Sequence, residues 1–491
     1  MQFNSIPFLF FFAVMYIIYW NIPYRFRHIF LILAGMLFYA YSSISFLFHF
    51  LFIISINYFL YVQLNKKPDK KILSLAVLVN ILNLGFFKYF YFFSKVLGDI
   101  TGLEMFYHAK DHIQIFLPLA ISFYSFQMIA AAVDSYRRPD PSYQPFWKYL
   151  LFVLFFPVLI AGPIMRMTDF FPNLERKEPE KDMVYRACFL MMSGLIKKAL
   201  FADPLNTFSA PVFANPSEYN VYSLFGAGLL YTMQLFFDFS GLTDMARSVA
   251  LFLGFEIPEN FFAPYYSLTV REFWSRWHVT LSQWLRDYIY FPLGGSRVSE
   301  FRTYINVFLT MVIGGFWHGA NYTFVAWGAY LGVVMGMERF LETKYGWTLV
   351  PKSKLLKPLK AMLVFFVISV SVLMFRSSSA SSMIELFGGI VTNSPSYLRD
   401  TLISNGDSWL VESAELIDGK PSFLLNSIRH VDTAFNMFLM FLVFHAIQYW
   451  PGILDRFQKH RFIYVIVMGV LTIFLLATLS QGGGGFIYNR F

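Results

Sequence analysis

The chain has 491 residues, of which 57% are hydrophobic, 21% aromatic and only 14% charged, with a formal net charge of +9. Soluble globular domains run at about 45–50% apolar and about 25% charged, so a soluble enzyme, a disordered chain and a coiled coil are all excluded. The apolar residues fall in long unbroken blocks instead of alternating, which argues against an outer-membrane barrel, and there are enough of them for about a dozen helical spans of ~20 residues. One cysteine, Cys188, leaves no internal disulfide and no cysteine-built metal site, and no metal is expected. The positive charge is that of cytoplasmic loops lying on anionic lipid head groups, so the lipid bilayer is the partner it implies and nucleic acid is not.

The first hydrophobic block, Pro7 to Trp20, has no Lys or Arg before it and therefore reads as a membrane segment, not a cleaved signal peptide. Further spans are predicted at 29–41, 44–64, 72–93, 113–133, 147–163, 188–202, 221–237, 303–316, 321–340, 358–375, 433–450 and 461–480. The stretches 161–200 and 241–300 leave room for re-entrant or interfacial helices. Every second connection is basic: Arg25, Arg27 and His28; then Lys66, Lys67, Lys70 and Lys71; then Arg137, Arg138 and Lys148. The connections between them, Ser42-Ser43 and Ser94 to His112, are neutral or balanced. By the positive-inside rule the N-terminus then faces outside the cytoplasm. The largest polar insertion, Ser377 to Ile428, carries six acidic and two basic residues and is expected to be a partly folded loop or small cap.

The stretch 231–321 differs from the rest, because ionisable residues sit there among aromatics at membrane depth, where each is costly unless paired or functional. His318 lies in an apolar span beside Gly314, Gly315 and Gly319. Small neighbours permit close approach of a ligand or helix, and an imidazole can take a proton at neutral pH. A hydrogen-bonded histidine between helices is the alternative. His278, between Trp277 and Val279, reads from its own segment as either a polar residue of a tryptophan belt or a catalyst. Asp238 and Asp244 could orient an imidazole or pair with Arg247 or Arg271.

WHVTLSQWLRDYIYFPLGG, followed by GGFWHGANYTFVAWG, resembles the membrane-bound O-acyltransferase superfamily, in the branch of bacterial alginate O-acetyltransferase, peptidoglycan O-acetyltransferase and teichoic-acid D-alanyl transferase. NLGFFKYFYFF, LPLAISFYSFQ, VLIAGPIMRMTDFFP and FFDFSGLTDMA extend the resemblance in the same order over most of the chain. Ala120 stands where the branch usually shows Gly, and Thr280 where Ser is common. The resemblance implies an all-α polytopic fold, a single integral-membrane domain over 1–491 with about 11–13 membrane helices and re-entrant or interfacial helices around a central tunnel, and a catalytic core at about 231–340. It makes His318 the essential histidine and His278 its tryptophan-preceded second.

Acyl transfer from a thioester to a hydroxyl needs a base and donors for the developing oxyanion. His318 is the expected base, and His278, Asn321 or a Trp indole the expected polariser, with Asp238 as a further candidate. The implied reaction moves acetyl from a cytoplasmic thioester such as acetyl-CoA, used as a substrate and not as a bound cofactor, to an extracytoplasmic polysaccharide in a bacterial cytoplasmic membrane. Arg271, Arg276 and Arg286, with Arg297 and Arg302, could receive the donor's phosphates; positive-inside bias explains the same cluster without a ligand. At the C-terminus, Gly482 to Gly485 precede FIYNRF, which resembles the terminal motif of this branch. That likeness makes Tyr488 a transient acyl carrier, its ester attacked by the serine of an extracytoplasmic acetyltransferase partner; an interfacial aromatic anchor is the alternative. Peptidoglycan is the alternative acceptor. A proton-coupled transporter and a haem protein ligated by His278 and His318 are the rivals from other classes.

Overall fold

The computed structural model describes residues 1–392, apart from 161, 176, 177, 179, 220, 347–349 and 352, together with 438–446, 448 and 449. The described residues form helices and connecting turns with no strand, only an isolated bridge between Phe261 and Trp277. Leaving aside four-residue turns, the helices are α1 (Ile6–Asn21), α2 (Tyr24–Ala40), α3 (Ile44–Lys66), α4 (Lys70–Leu84), α5 (Phe90–Thr101), α6 (Ile121–Arg137), α7 (Phe146–Leu154) and α8 (Lys181–Ile196). They continue with α9 (Asp203–Ala214), α10 (Val221–Phe252), α11 (Val270–Arg276), α12 (Val279–Leu285), α13 (Glu300–His318), α14 (Tyr322–Tyr345), α15 (Leu356–Arg376) and α16 (Ala380–Thr392).

Starts are set by side-chain caps: Ser5, Ser43 and Asp69 accept from backbone N–H groups in the first turns of α1, α3 and α4. Among the described residues, four helical runs are long and apolar enough to cross a membrane: Ile44–Lys66, Lys70–Thr101, Tyr322–Tyr345 and Leu356–Arg376. Other predicted spans are interrupted. The span at 113–133 becomes helical only from Ile121, the span at 147–163 breaks at Phe155, and that at 188–202 runs into a π-turn, Lys197–Ala202. In the other direction, 221–237 lengthens into the 32-residue α10, which carries Asp238, Asp244 and Arg247. The predicted span at 461–480 lies outside the described residues, as do 433–437, 447 and 450 of the span at 433–450, most of the polar insertion and the tail 482–491.

Large apolar side chains face both ways. Phe38, Phe50, Tyr124 and Tyr149 are fully enclosed, whereas Phe10, Phe48, Phe52 and Leu359 are exposed on the outer surface. That arrangement suits an environment as apolar as the core, in which every backbone polar group is satisfied by helix. The closest crossing is between α13 and α14. A Cβ at Gly315 would lie 2.3 Å from the Phe324 carbonyl oxygen, and one at Gly328 would lie 2.4 Å from that of Met311. Small residues that let backbones touch are the usual glue between helices in lipid. This contact fixes the position of His318, the last residue of α13.

Candidate active site

His318 and His278 are brought together, each by an interruption in a helix. Gly319, in extended conformation, ends α13 immediately after His318. His278 separates α11 from α12 and adopts a left-handed backbone, φ 43°, which is unusual for a residue other than glycine. The loop before α11 holds it there. Val279 N–H donates to the Asn260 carbonyl at 3.0 Å, Thr280 Oγ1 donates to Asn260 Oδ1 at 2.7 Å, and the same Thr280 oxygen accepts from Ile164 N–H at 3.0 Å. The Thr280 side chain contributes its hydroxyl, which a serine would equally supply, and its N–H also donates to Asn260 Oδ1 at 3.3 Å. Backbone strain sustained by surrounding bonds clusters at functional sites.

Both imidazoles are buried, His278 at 1% exposure and His318 at 6%. The Trp317 indole packs against both, 6.3 Å from the His278 ring and 4.9 Å from the His318 ring. Trp327 and Phe375 complete an aromatic box around His318, with ring centres at 5.2 and 5.4 Å. His318 also lines two cavities. One, of 260 Å³, is bounded by Lys88, Leu117 to Phe123 and Trp317. The other, of 30 Å³, is an apolar recess among Phe239, Trp274, Trp277, Trp327 and Phe375. A buried imidazole that reaches two separate chambers is placed to exchange a proton with groups entering from either.

The larger cavity sits at the start of α6, whereas Arg137, at the other end of that helix, lies about 25 Å away at 1.5 Å per residue. That far end is the basic face: Asp140 N–H donates to Asn65 Oδ1 at the end of α3. There Asp287 accepts from Arg166 at 2.6 Å and from Arg286 at 2.7 Å, and Tyr288 donates to Asp134 at 2.7 Å. Burial alone would raise the Asp287 carboxyl, but the hydrogen bonds from Arg286 and Arg166 outweigh it and hold the group below the usual carboxylate value.

The other residues proposed from sequence have definite partners. Arg271 is paired with Glu342, Arg276 with Glu272 and Arg286 with Asp287, so a donor phosphate would have to compete with a carboxylate at each. Asn321 caps α14 by accepting from Thr323 N–H and donates to the Ser378 carbonyl at 2.8 Å, which commits its side chain to holding the turn after His318. Asp238 accepts from Lys198 at 2.8 Å and Asp244 from Lys197 at 2.6 Å. The pairing with Arg247 or Arg271 is therefore corrected: Arg247 holds Glu259 and Arg271 holds Glu342. The lysines win because the π-turn of residues 197–202 faces α10 at the level of both aspartates. Tyr488 lies outside the described residues.

Sequence reading passed over Lys88. It ends the π-turn Gly85–Tyr89 with Tyr89, and both side chains reach the exposed carbonyls at the end of α13. Lys88 Nζ donates to the Trp317 carbonyl at 2.6 Å and to Ser122 Oγ at 3.2 Å, and Tyr89 Oη donates to the Phe316 carbonyl at 3.1 Å. The signal available in the sequence was a lysine inside an aromatic run at membrane depth.

Residues 69–384 match the model of the MBOAT, membrane-bound O-acyltransferase family. The probable alginate O-acetylase AlgI of Pseudomonas aeruginosa is 38% identical over 388 residues, covering 77% of this chain and 72% of that protein. The peptidoglycan O-acetyltransferase of Helicobacter pylori is 33% identical over 402 residues, 74% of each chain. The teichoic acid D-alanyltransferase of Bacillus subtilis is 30% identical over 290 residues, 55% of this chain and 70% of that protein. With a matching family model over more than half its length, a helical membrane fold and a buried histidine at the junction of two cavities, the chain belongs to the membrane-bound O-acyltransferase family and is an acyltransferase.

Proposed function

We propose that the protein moves acetyl from a cytoplasmic thioester to a hydroxyl of an extracytoplasmic polysaccharide, with His318 as general base. The observation that carries this reading is the position of His318 between a roomy cavity and a small apolar recess. The recess, at 30 Å³, has room for about one or two water-sized groups. It suits the methyl of an acetyl group and not a long acyl chain. Donor entry is assigned to the basic face, by the positive-inside rule, and the N-terminus to the outer face. An alginate-like polymer is the preferred acceptor, supported by the relative named for alginate; peptidoglycan is the second, supported by the relative named for that polymer.

Acetyl must cover much of the ~30 Å of hydrocarbon between a cytoplasmic donor and an outer acceptor. In this proposal Tyr488 is the carrier. His318 removes the phenol proton, the phenolate oxygen attacks the thioester carbonyl, and the carbon–sulfur bond breaks as the thiolate takes the proton back from the imidazolium. The acetyl-tyrosine is then attacked by a serine hydroxyl of an extracytoplasmic partner, which passes acetyl to the polymer, and the phenol is restored. A phenol leaves with a pKa near ~10, so its ester is activated relative to an alkyl ester, and two easier steps replace one difficult one.

The test is O-acetyl content of the cell's exopolysaccharide and peptidoglycan with wild type, His318→Ala and Tyr488→Phe at equal membrane abundance. Transfer should fall by ~10²–10⁴ in His318→Ala, the usual worth of a general base. Normal acetylation in that variant removes His318 from the chemistry. Normal acetylation in Tyr488→Phe leaves His318 in place and ends the carrier role. Which polymer loses acetyl decides between the acceptors.

A further inference from the structure

The oxyanion needs a donor, and the geometry of the small recess offers one that nothing else among the described residues employs. Trp274 is 8% exposed, on α11, and lines the recess together with His318 and Trp327. Its ring centre is 5.8 Å from that of Trp327, which in turn is 5.2 Å from the His318 ring. Two other indoles of this region are already bonded. Trp327 Nε1 donates to Ser371 Oγ at 3.3 Å, and Trp284 Nε1 donates to the Phe126 carbonyl at 3.0 Å. Trp274 Nε1, by contrast, is a buried donor with no hydrogen-bond partner among the described residues. Leaving a donor unsatisfied in an apolar site is costly. The side-chain amide of Asn321, near His318, is spent on the Ser378 carbonyl and on the cap of α14.

We infer that the Trp274 indole N–H is the oxyanion donor of the acyl-transfer step. With the acetyl methyl in the recess, the attacking oxygen forms its bond to the carbonyl carbon and the carbonyl π electrons move onto oxygen. The Trp274 N–H donates to that oxygen; when the tetrahedral adduct collapses, the pair returns, the bond to the leaving sulfur or phenolic oxygen breaks, and the indole donor is unsatisfied again. An N–H that is orphaned in the resting protein is satisfied only where negative charge develops, which is the condition for lowering a barrier without tightening ground-state binding. The inference rests on the acyl-transfer role proposed for His318.

The experiment uses the full chain in membrane vesicles, with thiol release from acetyl-CoA measured over donor concentration. Two variants remove the donor: Trp274→Phe, and replacement of Trp274 by benzothienylalanine, which keeps the bicyclic shape and exchanges N–H for sulfur. The expected result for both is a fall in kcat of ~10²-fold, the usual effect of losing one oxyanion donor, with KM within about twofold and an unchanged or higher melting midpoint in detergent. A packing role predicts a different pattern, because the isosteric variant would then behave as wild type. The inference is overturned if benzothienylalanine keeps kcat within threefold, or if loss of turnover comes only with a lower melting midpoint and a raised KM. His318→Ala, assayed alongside, separates the two levels: an active His318→Ala enzyme breaks the proposed function, whereas an inactive one beside a normal Trp274 variant breaks only the oxyanion assignment.

Discussion

Two regions of this protein set lysines among helices at membrane depth and treat them differently. Around the π-turn of residues 197–202, Lys197 is matched by Asp244 and Lys198 by both Asp238 and Asp203, with Ser193 adding a hydrogen bond to Asp244. At the π-turn of residues 85–89, Lys88 meets no carboxylate among the described residues; its ammonium rests on the Trp317 carbonyl and Ser122 and borders the cavity of His318. The first arrangement cancels charge and ties α8 to α10. The second sets Lys88 Nζ against the carbonyl end of α13, where a helix terminus favours a cation, and next to His318, the proposed base. The lysines paired with carboxylates hold the scaffold together; the lysine held by a carbonyl and a hydroxyl borders the proposed site.

The largest expected effect comes from breaking the scaffold pair. Lys198→Met takes the ammonium from the buried Asp238 and from the partly exposed Asp203 and should cost about 3–5 kcal/mol, read as lost folded protein after detergent extraction. The double change Lys198→Met with Asp238→Leu should recover most of that loss, since a well-packed apolar replacement is tolerated where a lone charge is not. Lys88→Met strands no carboxylate, so its melting midpoint should stay near wild type while acetyl transfer falls through the loosened end of α13. Equal destabilisation by Lys198→Met and Lys88→Met would erase the distinction between the two regions.

The next effect is steric. Gly315→Ala forces a methyl group against the Phe324 carbonyl and should cost about 1–3 kcal/mol, as overpacked sites do. Smaller still is the change at Ala120, whose φ is 60° at the entry to α6 and the wall of the larger cavity. Left-handed backbone costs a residue with a Cβ about 1–2 kcal/mol, so Ala120→Gly should raise the melting midpoint slightly, offset in part by the freedom glycine gains when unfolded. A drop would show that the Ala120 methyl packs better than its strain costs.

The smallest effect is a pH dependence on the basic face. Asp287 is held below the usual carboxylate value by Arg286 and Arg166. A carboxyl depressed in the folded state contributes stability that is present above its unfolded value of about 3.9 and is lost as pH falls through the folded one. The wild-type melting midpoint should therefore include an acid-side decline below about pH 4 that Asp287→Asn diminishes. An identical acid limb in the variant would mean that other carboxylates set it.

Composition and hydrophobic blocks alone determined that this is an all-α membrane protein, because no soluble core absorbs so many aromatics with so little charge. Motif spelling marked His318 and His278, since histidines within unbroken apolar sequence stand out without any structure. Tertiary structure decided what sequence spacing leaves open: which partner satisfies each buried charge. Asp238 and Asp244 sit in sequence near Arg247, yet helical geometry turns them toward the π-turn carrying Lys197 and Lys198. Asn321 belongs to a helix cap, visible only once α14 is seen to begin at Tyr322. Trp274, Lys88 and His318, on three separate helical segments, share the walls of two cavities only because α13 ends where α5 and α11 approach it. Hydrophobicity is a property of each residue and survives in a linear reading; hydrogen-bond satisfaction is a property of pairs, and distant pairs exist only in the folded chain.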